Sequence, residues 1–235
     1  IMLLDPAYTN YLQFAKRLQI PIVTTQREIN EDGSFALLDF NKIIQHIKKY
    51  RPSALVVIPY DNPTGQYLNQ ITLNRIAEIC VEYSLWMVSD EAYRPLVYTK
   101  EAPSSIWNVS SENIPRDHHY RISIESASKV WNACGLRIGG IITDHYEFHL
   151  KAISEYTANL CANTLGQYIF GVLANETHEE IQQWFSKQKL YYKNLFSLIK
   201  NSLIDELPGV IVSEPEASIY CVIDFKNISN LNFDS

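Results

Sequence analysis

The stretch "ALVVIPYDNPTGQ", residues 54–66, joins an apolar and partly β-branched run to a polar turn. Short apolar runs that end on turn residues are typical of buried strands. Because Asn-Pro and Thr-Gly pairs mark turns, we predict that a strand ends here and that the turn presents the side chain of Asn62. Such turns occur in many unrelated proteins, so the partners of Asn62 have to come from other parts of the sequence.

Apolar runs and amphipathic segments alternate on both sides of this stretch. We predict further strands at "IMLL" (1–4), "IPIVTT" (20–25), "LWMVSDEAY" (85–93), "YRISIESAS" (120–128) and "RIGGIITD" (137–144). We predict helices at residues 8–18, "LDFNKIIQHIKKY" (38–50) and "QITLNRIAEICVEYS" (70–84). The last of these helices has one apolar face, formed by Ile76, Ile79, Cys80 and Tyr83. Strands that alternate with helices predict an α/β fold with a mostly parallel sheet and helices on both faces.

The pattern changes to mainly helical near residue 145. A long amphipathic helix is expected within "EEIQQWFSKQKLYYKNLFSLIKNSL", and its face carries Ile181, Trp184, Gln188, Tyr191 and Leu195. Two more strands are expected in "GVIVSEPEASIYCVIDF" (209–225). We therefore predict a large domain over residues 1–200, with its N-terminal part missing, and the incomplete start of a small α+β C-terminal domain over residues 201–235.

The composition limits the classes of function. The chain of 235 residues is 46% hydrophobic and 20% charged, which is ordinary for a soluble globular protein, and its net charge of −6 argues against a nucleic-acid surface. No apolar run is long enough for a membrane span, and no signal peptide is evident. The four cysteines have no CxxC spacing and are expected to be reduced core thiols of a cytoplasmic protein: Cys80, Cys134, Cys161 and Cys221.

Polar side chains collect where the predicted strands end. In an open parallel sheet, ligands bind outside the carboxyl ends of the strands, so these side chains are expected to meet at one edge. The set comprises Asn62, Asp90, Tyr93, Ser126, Lys129 and Arg137. It contains no histidine, and only one carboxylate is expected to point inward, so no metal site is predicted. His145 and His149 are spaced four apart on a predicted helix but lack a third ligand, and we expect them to be exposed.

This set suits a phosphorylated aromatic ring that carries a basic nitrogen and an aldehyde. A carboxylate next to the ring nitrogen would keep it protonated, because a nearby opposite charge favours the charged form. A lysine can form a Schiff base with the aldehyde. Serine and arginine can bind the phosphate, and asparagine and tyrosine can donate to a phenolic oxygen of the ring.

Three motifs carry a resemblance to a known family. The segments "NPTG" (62–65), "SDEAY" (89–93) and "SASKVWNACGLRIGG" (126–140) resemble class I/II aminotransferases, the aspartate-aminotransferase-like branch of the fold-type I pyridoxal-phosphate enzymes. The match runs in the family's order from "LLDPAYTNY" (3–11) onward and covers its large cofactor domain. The family members are longer, so an upstream phosphate loop and a downstream substrate arginine are expected outside this sequence.

The resemblance assigns a role to each residue of the set. Lys129 matches the lysine that binds the cofactor and moves the substrate proton, and Asp90 matches the partner of the pyridine nitrogen. Asn62 and Tyr93 match the contacts of the ring oxygen, and Ser126 and Arg137 match the phosphate ligands. Tyr8 lies where the family has an aromatic residue stacked on the ring. In "PEASIY" (215–220), Ala217 stands where the family usually has glycine, near the substrate entrance.

The resemblance implies a homodimeric enzyme that transfers an amino group between an amino acid and a 2-oxo acid by a ping-pong mechanism, with pyridoxal 5′-phosphate as cofactor. Three alternatives stay open, and one of them is a catalytically inactive structural fragment; the other two are as follows. One is another reaction of the same fold type, such as a carbon–sulfur lyase, although those enzymes usually have histidine at the position of Tyr93. The other is a non-enzymatic domain that senses pyridoxal phosphate in a transcriptional regulator.

Overall fold

A computed structural model of the chain describes residues 1–110, 114–115 and 118–228. The larger sheet contains six strands: β1 (Met2–Asp5), β2 (Val23–Gln26), β3 (Ala54–Val57), β4 (Trp86–Asp90), β5 (Arg121–Ser126) and β6 (Gly139–Thr143). The helices are α1 (Thr9–Arg17), α2 (Phe40–Tyr50), α3 (Gln70–Glu82), α4 (Tyr146–Ala158), α5 (Thr164–Gly171) and α6 (His178–Glu206). A second sheet pairs β7 (Ile211–Val212) with β8 (Ile223–Asp224) in antiparallel fashion.

The strand order of the larger sheet is β2-β1-β3-β4-β5-β6. All neighbouring pairs from β2 to β5 are parallel, and only β6 runs antiparallel to β5. Five of the strands that were expected from the alternating pattern therefore place their carboxyl ends at one edge: β1, β2, β3, β4 and β5. The prediction of a mostly parallel α/β sheet is confirmed.

Side chains of successive strand residues point to opposite faces, and helices cover both faces. Helices α2 and α3 pack on one face in a core that includes Ile43, Leu55 and Ile76. Helix α1 covers the opposite face, where Leu3 and Val56 are buried. The apolar strands therefore bury both faces, as the near-continuous apolar runs of their sequences indicate.

Polar side chains cap the N-termini of helices α2 and α3. The Asp39 side chain caps α2 by accepting from the amide of Lys42 at 3.1 Å, and two lysines in the last turn face the negative end of the helix dipole. Helix α3 is capped by Asn69 in the same manner. Its predicted apolar face is confirmed, because Ile76, Ile79 and Cys80 are buried.

The predicted apolar face of the long helix α6 is partly wrong. The side chains that pack inward are Ile181, Phe185 and Tyr192, with Gln188 buried beside them, whereas Tyr191 is 64% exposed and Leu195 is 36% exposed. The same face continues towards the C-terminus through half-buried Phe196 and Leu203, so the inward positions are displaced around the helix from the predicted ones.

Two other expectations need correction. All four cysteines are free, but Cys134 and Cys161 are exposed, so only Cys80 is a buried core thiol. His145 is partly buried and caps α4, where its Nδ1 accepts from the amide of Phe148 at 3.1 Å. The expectation of an exposed histidine therefore holds for His149 and is wrong for His145.

Helix α6 continues without a break across residue 200 to Glu206, and the β7–β8 pair follows it. The division into a large domain and the start of a small one stays a prediction, and residues 229–235 of the proposed second domain lie outside the described residues. Within the described ranges, no helix is both long enough and apolar enough to cross a membrane.

Candidate functional site

The loops that leave β1, β3, β4 and β5 all lie at the same edge of the sheet, because these neighbouring strands are parallel. Tyr8 follows β1, Asn62 follows β3, and Asp90 and Ser126 are the last residues of β4 and β5. A second apolar core packs beneath these loops and joins them to α6 through Tyr93, Val130 and Phe185. This edge is therefore the place where the predicted site residues can meet.

Asp90 ends β4 with its carboxylate largely enclosed. Its Oδ2 accepts from the hydroxyl of Tyr11 at 2.7 Å, and its Oδ1 accepts from the amide of Ala92 at 3.2 Å. Burial raises the pKa of the Asp90 carboxyl, and the two hydrogen bonds oppose that shift. An enclosed carboxylate of this kind gains from a cationic partner, since an opposite charge offsets the cost of desolvation.

Tyr93 is buried three residues beyond Asp90, and its hydroxyl lies 2.7 Å from the hydroxyl of Tyr220. The two rings meet edge to face with their centroids 5.7 Å apart. Burial, followed by the hydrogen bond to Tyr220, raises the pKa of the Tyr93 phenol well above its usual range, and the fields of Asp90 and Tyr8 add to the shift. Tyr93 therefore stays a neutral hydrogen-bonding group, and its hydroxyl lies near both Asp90 and Tyr8.

Lys129 lies in a closed turn between β5 and β6. The amide of Asn132 donates to the Lys129 carbonyl at 3.1 Å, and the amide of Ala133 donates to the carbonyl of Ala127 at 3.3 Å. The turn is tied to the returning strand by the bond from the Ala127 amide to the Ile138 carbonyl at 3.0 Å. Among the described residues, the Lys129 ammonium group forms no hydrogen bond or ion pair, so it is available to a ligand.

Arg137 and Ser126 lie at the two sides of the same hairpin. Arg137 follows a short 3-10 turn in a left-handed conformation with φ of 55°, and its exposed guanidinium donates through Nη1 to the Cys134 carbonyl at 3.0 Å. The Ser126 hydroxyl accepts from the amide of Ser128 at 3.1 Å, and Ser126 pairs with Gly139 in the sheet. Both side chains flank the turn of Lys129.

Asn62 and Tyr8 are less closely tied to the other residues. Asn62 is partly buried in its turn, and Tyr8, which is 39% exposed, begins α1 and accepts from Asn10 Nδ2 at 2.7 Å. In the part of the chain that the structure describes, neither side chain is hydrogen-bonded to Asp90, Tyr93 or Lys129. The catalytic and cofactor-binding roles of all these residues stay predictions.

Residues 215–220, which we call the strap, cross over the Asn62 turn. The amides of Glu216 and Ala217 both donate to the carbonyl of Gly65 at 2.9 Å. The strap also contacts the loop after β4, because the Ser218 amide donates to the Leu96 carbonyl at 2.9 Å. The Ala217 side chain is fully buried. The strap thereby brings Tyr220 onto Tyr93.

Three contributions to this site were missed by the sequence reasoning: the Tyr11 hydroxyl on Asp90, the Tyr220 hydroxyl on Tyr93, and a buried ion pair between Arg27 and Asp61. Each joins residues that are 34 or more positions apart in the sequence. The available signals were weak: a second tyrosine in "DPAYTNY" and an aspartate directly before Asn62.

The polar groups carried by the loops at this edge include a carboxylate, an amide, phenols, an ammonium, a guanidinium and a hydroxyl. The described residues contain no group of three or more His, Cys, Asp or Glu side chains that could hold a metal ion. These side chains suit a ligand that carries an anionic group, a basic nitrogen and a carbonyl carbon that reacts with an amine.

Comparison with known proteins gives one family. The family model described as aminotransferase class I and II matches residues 1–233. The chain is 26% identical over 237 residues to an aspartate aminotransferase of Pyrococcus horikoshii. This alignment covers 100% of this chain and 56% of that protein. The chain therefore spans about half of the length of the curated relatives that it matches.

Solved structures share the fold. A double mutant of the aspartate aminotransferase of Thermus thermophilus matches with a TM-score of 0.80 and 22% identity, over 97% of this chain and 56% of that one. The PLP-bound C-S lyase of Staphylococcus hominis matches with a TM-score of 0.82 and 19% identity, over 95% of this chain and 54% of that one. At these identities the likeness concerns the fold alone.

Proposed function

This chain belongs to the aminotransferase class I and II family, and on that premise we propose that it is part of an aminotransferase that depends on pyridoxal 5′-phosphate. Its reaction is the transfer of an amino group from an amino acid to a 2-oxo acid. The observation that carries the proposal is the free ammonium of Lys129 on a closed turn, next to the loop that bears Asp90 and Tyr93.

The described residues fit this cofactor in charge and in hydrogen bonding. When bound, pyridoxal phosphate supplies an aldehyde that reacts with amines and a ring that takes up electrons. Lys129 would hold the aldehyde carbon, and Asp90 would hold the proton on the ring nitrogen, since its enclosed carboxylate lacks a cationic partner among the described residues. Ser126 and Arg137 would bind the phosphate, Asn62 and Tyr93 the ring oxygen, and Tyr8 the ring face.

In this proposal one residue of the chain transfers the proton, and the others orient the groups around it. Lys129 Nζ is the atom that we assign to take the α-proton of the amino acid, because an amine is a base once it has lost its charge. Tyr93 and Asn62 orient the ring oxygen by hydrogen bonds, and Tyr11 orients the Asp90 carboxylate. The second apolar core under these loops keeps water away from Tyr93.

The assignment of Lys129 is tested by chemical trapping. Full-length protein that is mixed with pyridoxal phosphate should gain visible absorbance, and borohydride should fix the cofactor on Lys129 in peptide maps. Lys129→Ala should lower turnover by about three orders of magnitude or more, because it removes both the anchor and the base. The exposed Lys151→Ala, on α4, is the matched control and should behave like the wild type. An adduct on another lysine would overturn the assignment.

A carbon–sulfur lyase reaction is the second candidate, because a cystathionine beta-lyase of Bacillus subtilis is 24% identical to the chain over 229 residues. A single-turnover panel separates the two. Excess aspartate, glutamate or an aromatic amino acid should change the visible band of the bound cofactor and release one equivalent of 2-oxo acid. Release of thiol from a sulfur amino acid would favour the lyase. No change with any amino acid would favour a cofactor-sensing domain.

We also propose that the protein is a cytoplasmic homodimer. The four free cysteines are consistent with a reducing compartment. Strand β6 and helix α4 expose apolar side chains that a second subunit could cover, including Ile141, Ile142 and Ile153. Sedimentation of full-length protein should give a dimer, and a fully active monomer would contradict this proposal.

A further inference from the structure

A buried ion pair lies directly behind the edge of the sheet where the site residues collect. Arg27 follows β2 and Asp61 follows β3, the two strands that flank β1. Arg27 Nη2 lies 2.8 Å from Asp61 Oδ2, and the two side chains are only 2% and 3% exposed. No role for these two residues follows from the motifs of the sequence.

The guanidinium of Arg27 holds the chain where it leaves β1. Its Nη2 donates to the carbonyl of Pro6 at 2.5 Å and to the carbonyl of Leu4 at 3.3 Å. The backbone amide of Arg27 donates to the carbonyl of Asp5 at 2.7 Å. These contacts fix the segment that leads into Tyr8, which lies two residues beyond Pro6.

The carboxylate of Asp61 holds the turn that presents Asn62. Its Oδ2 accepts from the amide of Thr64 at 3.3 Å and also from the Thr64 hydroxyl. The Asp61 carbonyl accepts from the Gly65 amide at 3.0 Å and from the Ser218 hydroxyl of the strap at 2.8 Å. Asp61 therefore binds its own turn, the strap and Arg27 together.

Arg27 also reaches this turn directly, because its Nη1 donates to Gln66 Oε1 at 3.1 Å. Its Nε has no hydrogen-bond partner among the described residues. A buried pair with incomplete hydrogen bonding adds little net stability relative to apolar residues of similar volume. The main effect of burying these charges is therefore to fix two separate turns by directional hydrogen bonds, rather than to raise the free energy of unfolding.

We propose that Arg27 and Asp61 are positioning residues that lock the Tyr8 segment and the Asn62 turn to each other and so preset two cofactor contacts. This inference rests on the proposed function, since it assigns Tyr8 and Asn62 to the cofactor. Its physical basis is preorganisation: groups that are fixed before binding lose less entropy when the ligand arrives.

The experiment uses full-length protein with the double substitution Arg27→Met and Asp61→Asn. The asparagine oxygen can still accept from Thr64, whereas the link between the two turns is lost. The matched control is Arg75→Met with Glu78→Gln, which removes an exposed pair of similar length, 2.7 Å, from helix α3. Arg27→Lys is the second variant, because it keeps the charge and loses the fork that reaches Pro6 and Gln66 together.

Two readouts are taken. In cofactor-free protein, hydrogen exchange should speed up in peptides that contain residues 5–9 and 61–66, and it should stay unchanged in α3. The dissociation constant of pyridoxal phosphate, from absorbance titration, should rise by about tenfold or more in the double variant and by less in Arg27→Lys. Borohydride should still trap the cofactor on Lys129 in both.

The proposal is overturned if exchange in both turns matches the control, or if the dissociation constant stays within about twofold of it. It is also overturned if the melting temperature falls while cofactor affinity does not, because that result describes a purely structural pair. If the double variant does not fold, Arg27→Lys decides by the same two criteria. Failure of wild-type protein to bind the cofactor would refute the proposed function, and the exchange data would still decide whether the pair holds the two turns.

Discussion

At the scale of single residues, the role that we propose for Asp90 comes with a cost to the folded state. Its carboxylate is largely enclosed, and burial raises its pKa. The folded protein therefore keeps a proton on Asp90 to higher pH than the unfolded chain does, in which aspartate titrates near pH 3.9, about its ordinary value. The contribution of Asp90 to the free energy of unfolding is therefore fully present below the pKa of the unfolded chain. It is lost as the pH rises through the pKa of the folded protein.

We predict that Asp90→Asn is at least as stable as the wild type at neutral pH when no cofactor is present. The asparagine carries no charge to desolvate; its oxygen can accept from the Ala92 amide, and its Nδ2 can donate to the Tyr11 hydroxyl, which can also act as an acceptor. Melting temperatures between about pH 4 and pH 8 should show the advantage of the variant growing with pH and vanishing towards pH 4. Turnover should fall by two or more orders of magnitude, roughly, because the cofactor ring loses its counter-charge.

A variant that melts below the wild type at neutral pH would show that Asp90 stabilises the fold as an ion. Near-normal turnover would remove the proposed role of Asp90. The opposite movement of stability and activity is the signature expected of a residue that is kept for function rather than for folding.

The phenol pair of Tyr93 and Tyr220 gives a second prediction. A phenol can accept one hydrogen bond and donate another, so Tyr93 can accept from Tyr220 while it donates to a bound ring oxygen. Such chains strengthen the terminal donor. Tyr93→Phe should shift the pH titration of the visible cofactor band to higher pH, and Tyr220→Phe should shift it in the same direction by less. No shift in Tyr220→Phe would mean that Tyr220 only packs.

Much of the candidate site could be predicted from the sequence, because its residues follow strands and carry a recognisable spacing. Asn62, Asp90 and Lys129 each follow or end an apolar run, and parallel topology brings such positions to one edge. Tyr11, Arg27 and Tyr220 could not be found in this way. Their partners lie 34 to 127 residues away, and no local pattern records such contacts.

At the scale of elements, the contact between the Asn62 turn and the strap depends on a glycine. Gly65 has φ of 71°, a conformation that glycine adopts without strain. A Cβ there would lie 2.5 Å from the Tyr220 carbonyl oxygen and 2.8 Å from the Pro215 Cβ. Turn and strap are therefore in direct backbone contact.

We predict that Gly65→Ala destabilises the protein by roughly 2–4 kcal/mol, since it combines backbone strain with a clash. It should also weaken cofactor binding, because the strap carries Tyr220. The control is Gly135→Ala, whose added Cβ would meet nothing within 4 Å. Urea titration and cofactor titration of both variants provide the measurement. Equal stability of the two variants would contradict the close packing of turn and strap.

The elements themselves were predictable where burial follows a regular period. The face of α3 agrees with its sequence because both neighbouring strands and loops cover it along its length. The face of α6 agrees only in part, because the side chains that pack inward are Phe185 and Tyr192 rather than their sequence neighbours Trp184 and Tyr191. Apolar periodicity identifies a helix, but where two large apolar residues are adjacent it does not specify which of them faces the core.

At the scale of the whole molecule, the second core joins parts of the chain from both sides of the predicted boundary at residue 200. Tyr93 and Val130 precede it, and Ala217 and Ile219 follow it. The strap adds backbone hydrogen bonds to Gly65 and Leu96. Opening the segment after α6 would expose this core and leave buried carbonyls without partners, which is costly.

We therefore predict that the strap unfolds together with the sheet rather than as a separate unit. In cofactor-free full-length protein, Ile76→Ala removes a fully buried side chain from the core between α3 and the sheet. Such a substitution costs about 2–5 kcal/mol, which corresponds to an increase of roughly thirtyfold or more in exchange that proceeds by global unfolding. Hydrogen exchange at the amides of Val56 in β3 and of Ala217 and Ser218 in the strap should accelerate by the same factor.

The control is Ile71→Ala on the same helix, at a side chain that is 78% exposed, and it should change neither exchange rate. If Ile76→Ala accelerates exchange in β3 alone, the strap belongs to an independently folding domain, and the predicted boundary at residue 200 gains support instead.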